Sequence, residues 1–326
     1  MNKKEFNFKR VITHSTVFHA DDVFGAAMCK LIDPYVQIIR TLEPEEFADD
    51  ETLIFDIGMG EYDHHQQDKA VRPISDGYYT DKQGSRQPVP YCGFGLLWRD
   101  FGHLLCPDPM AWQRVDRELV IPIDKADNGI SQNPLSTAIR NMNPAWDRKS
   151  LKIPIRPLDK GEVTEDYYRV DGVDYLDTRF SKAMQLAMTV LSQSVEQANA
   201  AVRAIDKVSE SYGVSPSEKI LVLDQYMPYL DVIRDEKYKD LLFVVYPSQR
   251  GGWNVQTVPK APGSTSNRMD FPTGWLGHAN PERGIHFAHT SNFLIACDTK
   301  DQAIKVAEEA IDIGSDEAVV AYSFDC

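Results

Sequence analysis

The chain has 326 residues, more than a typical single domain, so two domains are the starting expectation. A hydrophobic fraction of 42% and a charged fraction of 26% are those of a globular protein that buries a core without disulfide staples. The formal net charge of −14 excludes a broad basic groove for duplex nucleic acid, because such binding needs many Lys and Arg contacts that release counterions. A phosphorylated small molecule or a short RNA or oligonucleotide stays compatible, since bound divalent cations can reverse a local potential. Cys29, Cys92, Cys106, Cys297 and Cys326 are odd in number and include no Cys-x-x-Cys pair, which points to a reducing compartment. The first residues lack the apolar run of a secretory signal, and no apolar stretch approaches the ~20 residues that span a bilayer. A cytoplasmic protein with no membrane partner is expected, with a homodimer left open.

Residues 10–14 read as a strand, followed by His14-Ser15-Thr16-Val17-Phe18-His19-Ala20-Asp21-Asp22. A helix over residues 22–31 comes next, with an apolar face at Val23, Ala26, Ala27 and Leu31. The helix dipole accounts for an acid at this N-terminus, and Asp22 is read as a cap, but His19 beside it is unexplained. A strand over residues 35–41 precedes the apolar run 52–55, a buried strand that ends at Asp56. Gly58 and Gly60 then let the backbone turn toward Asp63-His64-His65. Successive side chains on an extended backbone alternate, so one of these histidines can face a metal while the other faces substrate. An isolated Asp-His-His would be read as a polar turn, but four of the eight histidines fall in these two short segments, which argues for a shared site. Carboxylates mixed with imidazoles suit Mn²⁺, Fe²⁺, Co²⁺ or Zn²⁺ better than Mg²⁺ or Ca²⁺. The alternation of strand and helix predicts a mainly parallel sheet whose ligands gather at the carboxyl ends of strands.

Residues 69–90 are rich in Gly, Pro, Asp and Ser and read as an exposed excursion without chemistry of its own. Residues 91–106 read as a helix burying Phe94, Leu97, Trp98 and Phe101, with His103 as a capping or core residue. Residues 111–126 are helix-like, and Pro122 is expected to kink or end that helix. Asp124 and Asp127 follow, with Asn128-Gly129 as a turn. Little periodicity between Asn141 and Tyr175 divides the chain into a first domain at 1–145, a connection at 146–178 and a second domain at 179–326. The second domain opens with a long helix over residues 178–212, stopped by Gly213. Strands are expected at 219–223, 241–246, 253–258 and 285–287, with Gly251-Gly252 as a hairpin turn. Thr299-x-x-Gln302 is a capping box opening a helix through Ile311, and residues 318–324 read as a last strand. Arg250, Lys260, Arg268, Arg283, His286 and His289 fall in loops and strand ends, where cations suit phosphate capture but are more often simply solvated.

The series His-x4-His-x-Asp-Asp, Asp56, Asp63-His64-His65 and Asp124-Lys125-Ala126-Asp127-Asn128-Gly129-Ile130 resembles the four-motif signature of the DHH phosphoesterase superfamily. Within it the chain is similar to the Myg-type (melanocyte proliferating gene) family, described as metal-dependent hydrolases and, for studied members, as 3′ to 5′ RNA exonucleases. The similarity continues through Phe101-Gly102-His103, Val244-Val245-Tyr246-Pro247, Trp253-x-Val255-Gln256 and Phe287-x-His289-x-Ser291.

This resemblance implies an α/β fold: an N-terminal mainly parallel-sheet DHH-like domain and a C-terminal α+β DHH-associated-like domain, with the active site in the cleft between them. It implies two divalent metal ions about 3.5 to 4 Å apart that clamp a phosphoryl group and lower the pKa of a bridging water. Asp56 would bridge them, with His14 and His19 on one ion and Asp21, His64 and Asp127 on the other; Asp127 is preferred to Asp124. His19 stands where many relatives carry aspartate, and the added nitrogen donor places Mn²⁺ first, ahead of Mg²⁺, Co²⁺, Fe²⁺ or Zn²⁺. His65 is expected to face substrate as phosphate ligand or general acid, and Asp63 to orient a metal-bound imidazole. Arg250, Arg268, His289 and Ser291 are the expected substrate-binding residues, beside Asn292, Ile295 and Ala296, which stand where relatives carry glycines of a binding loop. The implied function is a metal-dependent phosphoesterase, a 3′ to 5′ exonuclease on RNA or short oligonucleotides. The alternatives are a pyrophosphatase-like hydrolase of small phosphoanhydrides or nucleotides, and a non-catalytic protein that keeps a metal for stability.

Overall fold

The computed structural model describes residues 3–144, 169–170, 173–261 and 263–324, so most of the stretch read as a connection lies outside the described residues. The chain divides into two compact units, residues 1–199 and 200–326. In the first, β1 (Arg10–His14) is the central strand of an all-parallel sheet, flanked by β2 (Gln37–Thr41) and β3 (Thr52–Ile54). Ile12 pairs with Ile39 on one side and Ile54 on the other, and Val11 and Ile12 are fully buried. Between β1 and β2 the crossover is α1 (Ala20–Ile32). A Cβ on Gly25 of this helix would collide with the Phe55 ring, so glycine sets how closely α1 approaches the end of β3.

Residues 69–90 are largely exposed, as their composition predicts, but they are not without regular structure. They form a hairpin of β4 (Tyr78–Thr80) and β5 (Arg86–Pro88), and they bury Val89 together with the guanidinium of Arg72. α2 (Gly93–Leu105) then lays Phe94, Leu97, Trp98 and Phe101 into the core, as expected. Pro122 does not end the following helix. α3 (Pro109–Val115) passes through a π-helical turn, Asp116–Val120, directly into α4 (Ile121–Asp127). In the π turn Ile121 N–H bonds the Asp116 carbonyl five residues back, and Pro122 follows directly as the second residue of α4. α5 (Pro134–Arg140) is capped by the Asn133 side chain, which accepts from the N–H groups of Leu135 and Ser136 at 2.8 and 3.1 Å.

A short pair, β6 (Arg169–Val170) and β7 (Val173–Asp174), precedes α6 (Tyr175–Gly213). The second unit is built on a five-stranded sheet in the order β11-β12-β10-β9-β8. Its strands are β8 (Ile220–Val222), β9 (Phe243–Pro247), β10 (Trp253–Thr257), β11 (Ile285–Ala288) and β12 (Leu294–Cys297), and only the β8–β9 pairing is parallel. Side-chain alternation gives the sheet two cores. Val222, Phe243, Val245, Val255 and Ile295 pack against Ala303, Val306 and Ala307 of α7 (Lys300–Phe324), whereas Leu221 and Val244 join Ala204 and Val208 of α6.

Two expectations fail in this unit. Ile295 and Ala296 lie in strand β12 rather than in a binding loop, because Asn292 makes the turn by adopting a left-handed φ of 55°. Residues 318–324 continue α7 instead of forming a strand. The Thr299–Gln302 capping box has already nucleated the helix, and each added residue then gains a hydrogen bond that a lone strand would lack. Among the described residues no helix is long and apolar enough to cross a membrane. The fold class is therefore α/β, with a parallel sheet in one unit and a mixed sheet in the other.

Candidate metal centre

The carboxyl ends of β1 and β3 deliver the two His/Asp segments to one place. β1 ends at His14, and α1 starts with Asp21 and Asp22 in its first turn. His19 is the residue before the helix, and its N–H donates to Asp22 Oδ1 at 2.9 Å, so Asp22 does cap the helix as expected. Its other oxygen is buried and lies 3.2 Å from His14 Nε2. After β3, Asp56 adopts a left-handed φ of 55°, a conformation short polar side chains tolerate better than most, and this turns its carboxylate inward. The loop beyond is braced: Met59 N–H donates to Asp63 Oδ2 at 2.7 Å, and the Gln66 amide donates to the Met59 and Gly60 carbonyls at 2.6 and 2.7 Å. Tyr62 donates to buried Asp100 at 3.1 Å, which ties the loop to α2.

Asp56 sits between two imidazoles, Oδ1 at 3.0 Å from His64 Nε2 and Oδ2 at 3.4 Å from His14 Nε2. His64 Nε2 also lies 3.2 Å from Asp127 Oδ2 and 3.5 Å from Asp21 Oδ2. Despite these approaches, both oxygens of Asp21, Asp22 Oδ2 and Asp56 Oδ1 are buried without a properly directed hydrogen bond. The rings and carboxylates share a space without being bonded to one another. Among the described residues three groups of potential ligand atoms, those of each group within 4.8 Å of one another, lie here: Asp56 with His64 and His65, His14 with the same Asp56 and Asp22, and His19 with Asp21 and Asp127. The grouping differs from the one implied by the resemblance, since His19 lies with Asp21 and Asp127 and Asp22 takes its place beside His14. Asp22 is the candidate ligand that sequence reasoning set aside, because a capping role alone satisfied the helix.

Protonation follows from crowding. Burial, then the nearby Asp21, push the Asp127 carboxyl up to about 8, and burial raises Asp22 as well. Burial would also raise Asp21, yet His64 and the other imidazoles draw it down to about 2. Burial would lower His64, but the Asp21 and Asp56 carboxylates beside it hold it up to about 10, and the same contest raises His14. So many acids cannot all ionise together, and protons are held where a divalent cation would otherwise balance the charge. Buried, undirected carboxylate oxygens beside imidazoles that can turn neutral are groups that could hold a metal ion, so the residues present fit a divalent metal.

Asp124 and Asp127, three residues apart on α4, have separate tasks. Asp124 is fully buried; its Oδ2 accepts from Arg72 Nε and Nη2 at 2.9 and 2.6 Å, and its Oδ1 accepts from the Cys92 N–H at 3.0 Å. The Arg72 guanidinium also donates to Asp116 at 2.7 Å. Asp127 is the one that faces His64. The task expected of Asp63 is likewise redirected, because its Oδ1 accepts from the ring Nδ1 of His65 at 2.7 Å, not from the inward-facing His64. His65, 59% exposed, lies outermost, in a hollow of about 770 Å³ with His64, Lys69 and Asn128.

The expected substrate residues of the second unit are more committed than the sequence suggests. Nη1 of Arg268 donates to the main-chain oxygens of Tyr238, Lys239 and Leu241. His289 Nδ1 accepts from Ser291 N–H at 3.0 Å and its ring lies 4.4 Å from that of Phe293, while Arg250 occupies the β9–β10 turn. His103 lies in the last turn of α2, outside the three ligand groups, with Nδ1 buried and unpartnered.

The chain matches the model of the MYG1_exonuc family, described as "Uncharacterised protein family (UPF0160)", over residues 10–311. The MYG1 exonuclease of Homo sapiens is 25% identical over 349 residues, covering 93% of this chain and 85% of the relative. A MYG1 protein of Schizosaccharomyces pombe is 25% identical, covering 94% and 98%, and one of Saccharomyces cerevisiae is 22% identical, covering 93% and 96%. No solved structure matches. With one family model running through both sheets and every residue of the His/Asp cluster, the chain belongs to the MYG1 family.

Proposed function

We propose that this protein is a metal-dependent phosphoesterase that removes nucleotides from the 3′ end of RNA or a short oligonucleotide. The observation that carries the reaction class is the group of buried carboxylate oxygens on Asp21, Asp22 and Asp56, unpartnered and gathered with the imidazoles of His14 and His64. The exonuclease half of the reading is supported by the name of the mammalian relatives, MYG1 exonuclease, and by the resemblance to the DHH superfamily. Two cations, Mn²⁺ first, would be held by His14, Asp22, Asp56, His64, His19, Asp21 and Asp127. When bound, such ions lower the pKa of a water and offset phosphoryl charge.

The chain's own groups set the rest. Asp56 aims one oxygen at each half of the cluster and so fixes their spacing. Asp63 anchors Nδ1 of His65, so a proton given to a leaving oxygen comes from Nε2, the ring nitrogen on the other edge. Asp63 itself stays anionic: burial would raise it, but bonds from the His65 N–H, the His65 ring and the Met59 N–H lower its pKa.

The test uses protein stripped of metal, refilled with Mn²⁺ and given a short RNA labelled at its 5′ end. Stepwise shortening by single nucleotides from the 3′ end is expected; a ladder that fails to form with every divalent ion tried would sink the reading. The net charge of −14 favours a second reading, hydrolysis of a small phosphoanhydride, and faster turnover of pyrophosphate than of RNA would select it.

A further inference from the structure

We infer that the hollow on the α5 side of the metal cluster is a subsite for a second phosphate of the substrate, held by Arg140 and Ser136. The inference rests on the phosphoesterase reading and names where a substrate longer than one phosphoester is gripped. The hollow, of about 490 Å³, has His19 and Asp127 on one wall and Ser131, Ser136, Thr137 and Arg140 on the other. His19 and Asp127 also line the larger hollow that contains His64 and His65. A phosphoryl group held at these two residues is therefore flanked by two spaces, of which the smaller is still large enough for a ligand group of nucleotide size.

The two spaces carry different cations. On the His65 side Lys69 donates to the Asn128 amide oxygen at 2.7 Å. On the α5 side Arg140 is exposed and forms no ion pair among the described residues, although Asp127 lines the same hollow. A guanidinium with no carboxylate partner among the described residues, beside an acidic cluster, presents a fork that matches two phosphate oxygens. Ser136 adds an independent sign: the residue lines the hollow, and its Oγ is buried with no hydrogen-bond partner among the described residues. A hydroxyl in that state awaits an acceptor, and a phosphate oxygen is one. The wall is fixed in place, because Asn133 caps α5 and Ile139 is fully buried. The carboxylates opposite would repel any second phosphate, so the Arg140 charge should matter only for substrates that have one.

Two substrates separate the roles. Bis(p-nitrophenyl) phosphate has a single phosphate, and an RNA trinucleotide has two linkages. Arg140→Ala should raise KM for the trinucleotide by about 10-fold or more, with kcat little changed, and leave bis(p-nitrophenyl) phosphate unaffected. Arg140→Lys, which keeps the charge but not the fork, should recover part of the loss. A readout independent of turnover is titration calorimetry, in Mn²⁺, with a 2′-O-methyl phosphorothioate trinucleotide that resists cleavage. Here Arg140→Ala should weaken binding by about 10-fold and reduce the slope of log affinity against log salt by about one. Manganese content and melting midpoint should match those of the unaltered protein, since Arg140 is exposed and outside the cluster. Unchanged trinucleotide binding, or an equal loss for both substrates, overturns the subsite. If the unaltered protein cleaves neither substrate, the phosphoesterase reading fails on its own, and the calorimetric comparison still decides whether Arg140 holds a phosphate.

Discussion

The two sheets of this protein differ in how their surroundings treat polar atoms. Around the C-terminal sheet, Arg268 caps main-chain oxygens, Asn292 bonds both the N–H and the carbonyl of Phe271, and Tyr246 donates to Gln256 at 2.6 Å. Around the N-terminal sheet the opposite holds. Among the described residues, every buried side-chain nitrogen or oxygen without a hydrogen-bond partner belongs to residues 13–136, and Asp21, Asp22 and Asp56 contribute four of them at the ends of β1 and β3. Each such group costs roughly 1 to 3 kcal/mol, so a fold keeps several together only where something else completes them. The contrast separates a sheet with satisfied, supporting surroundings from one that ends in a group of unpartnered carboxylates.

The strongest attempt to break this contrast is Asp56→Asn. Asparagine tolerates the left-handed backbone, so the fold should persist, yet kcat/KM should fall by about 10⁴-fold, or about 5 kcal/mol, together with bound metal. Retained metal and turnover in that variant would dissolve the distinction. Next comes Arg72→Met, which leaves Asp116 and Asp124 buried without their shared cation and should cost about 3 to 5 kcal/mol in denaturant titrations. Adding Asp116→Asn should recover part of it. Saturating the metal-depleted protein with Mn²⁺ at a hundredfold excess over Kd should stabilise it by about 2.7 kcal/mol. Hydrogen exchange should slow in α1 and β3 and stay unchanged in β9 and β10. In the supporting sheet, Asn292→Ala should cost about 2 kcal/mol by forcing alanine into a left-handed φ and removing two hydrogen bonds, and Asn292→Gly should cost less. The smallest effect is expected for Asn133→Ala, about 1 kcal/mol from loss of the α5 cap, read as a lower melting midpoint without loss of metal.

Local patterns carried much of this into the sequence. The strand, turn and helix around His14 and Asp21 are legible because each step depends on residues within a few positions, and the choice of Asp127 over Asp124 is visible in its neighbours Asn128 and Gly129. What stays hidden is set by distant pairing. Arg72 lies in a stretch with the composition of an exposed loop, and only the fold shows Asp116 and Asp124, more than forty residues on, closing around it. Asp22 is masked because one local role, the helix cap, was enough to explain it. The continuation of α7 through residues 318–324 stays hidden for a different reason: a run with β-branched residues has the local pattern of a strand, and the nucleated helix before it overrides that pattern.

The π-helical turn between α3 and α4 carries one residue more than an α-helical path would need. Every position after it is therefore out of phase with the helix before it, by about 100° per residue on an α-helical wheel. Excising a single residue from 116–120 would give a more regular helix. It would also swing Asp124 off Arg72 and Asp127 off His64 in the same stroke, so the irregular turn works as the angular setting of the whole acidic pair.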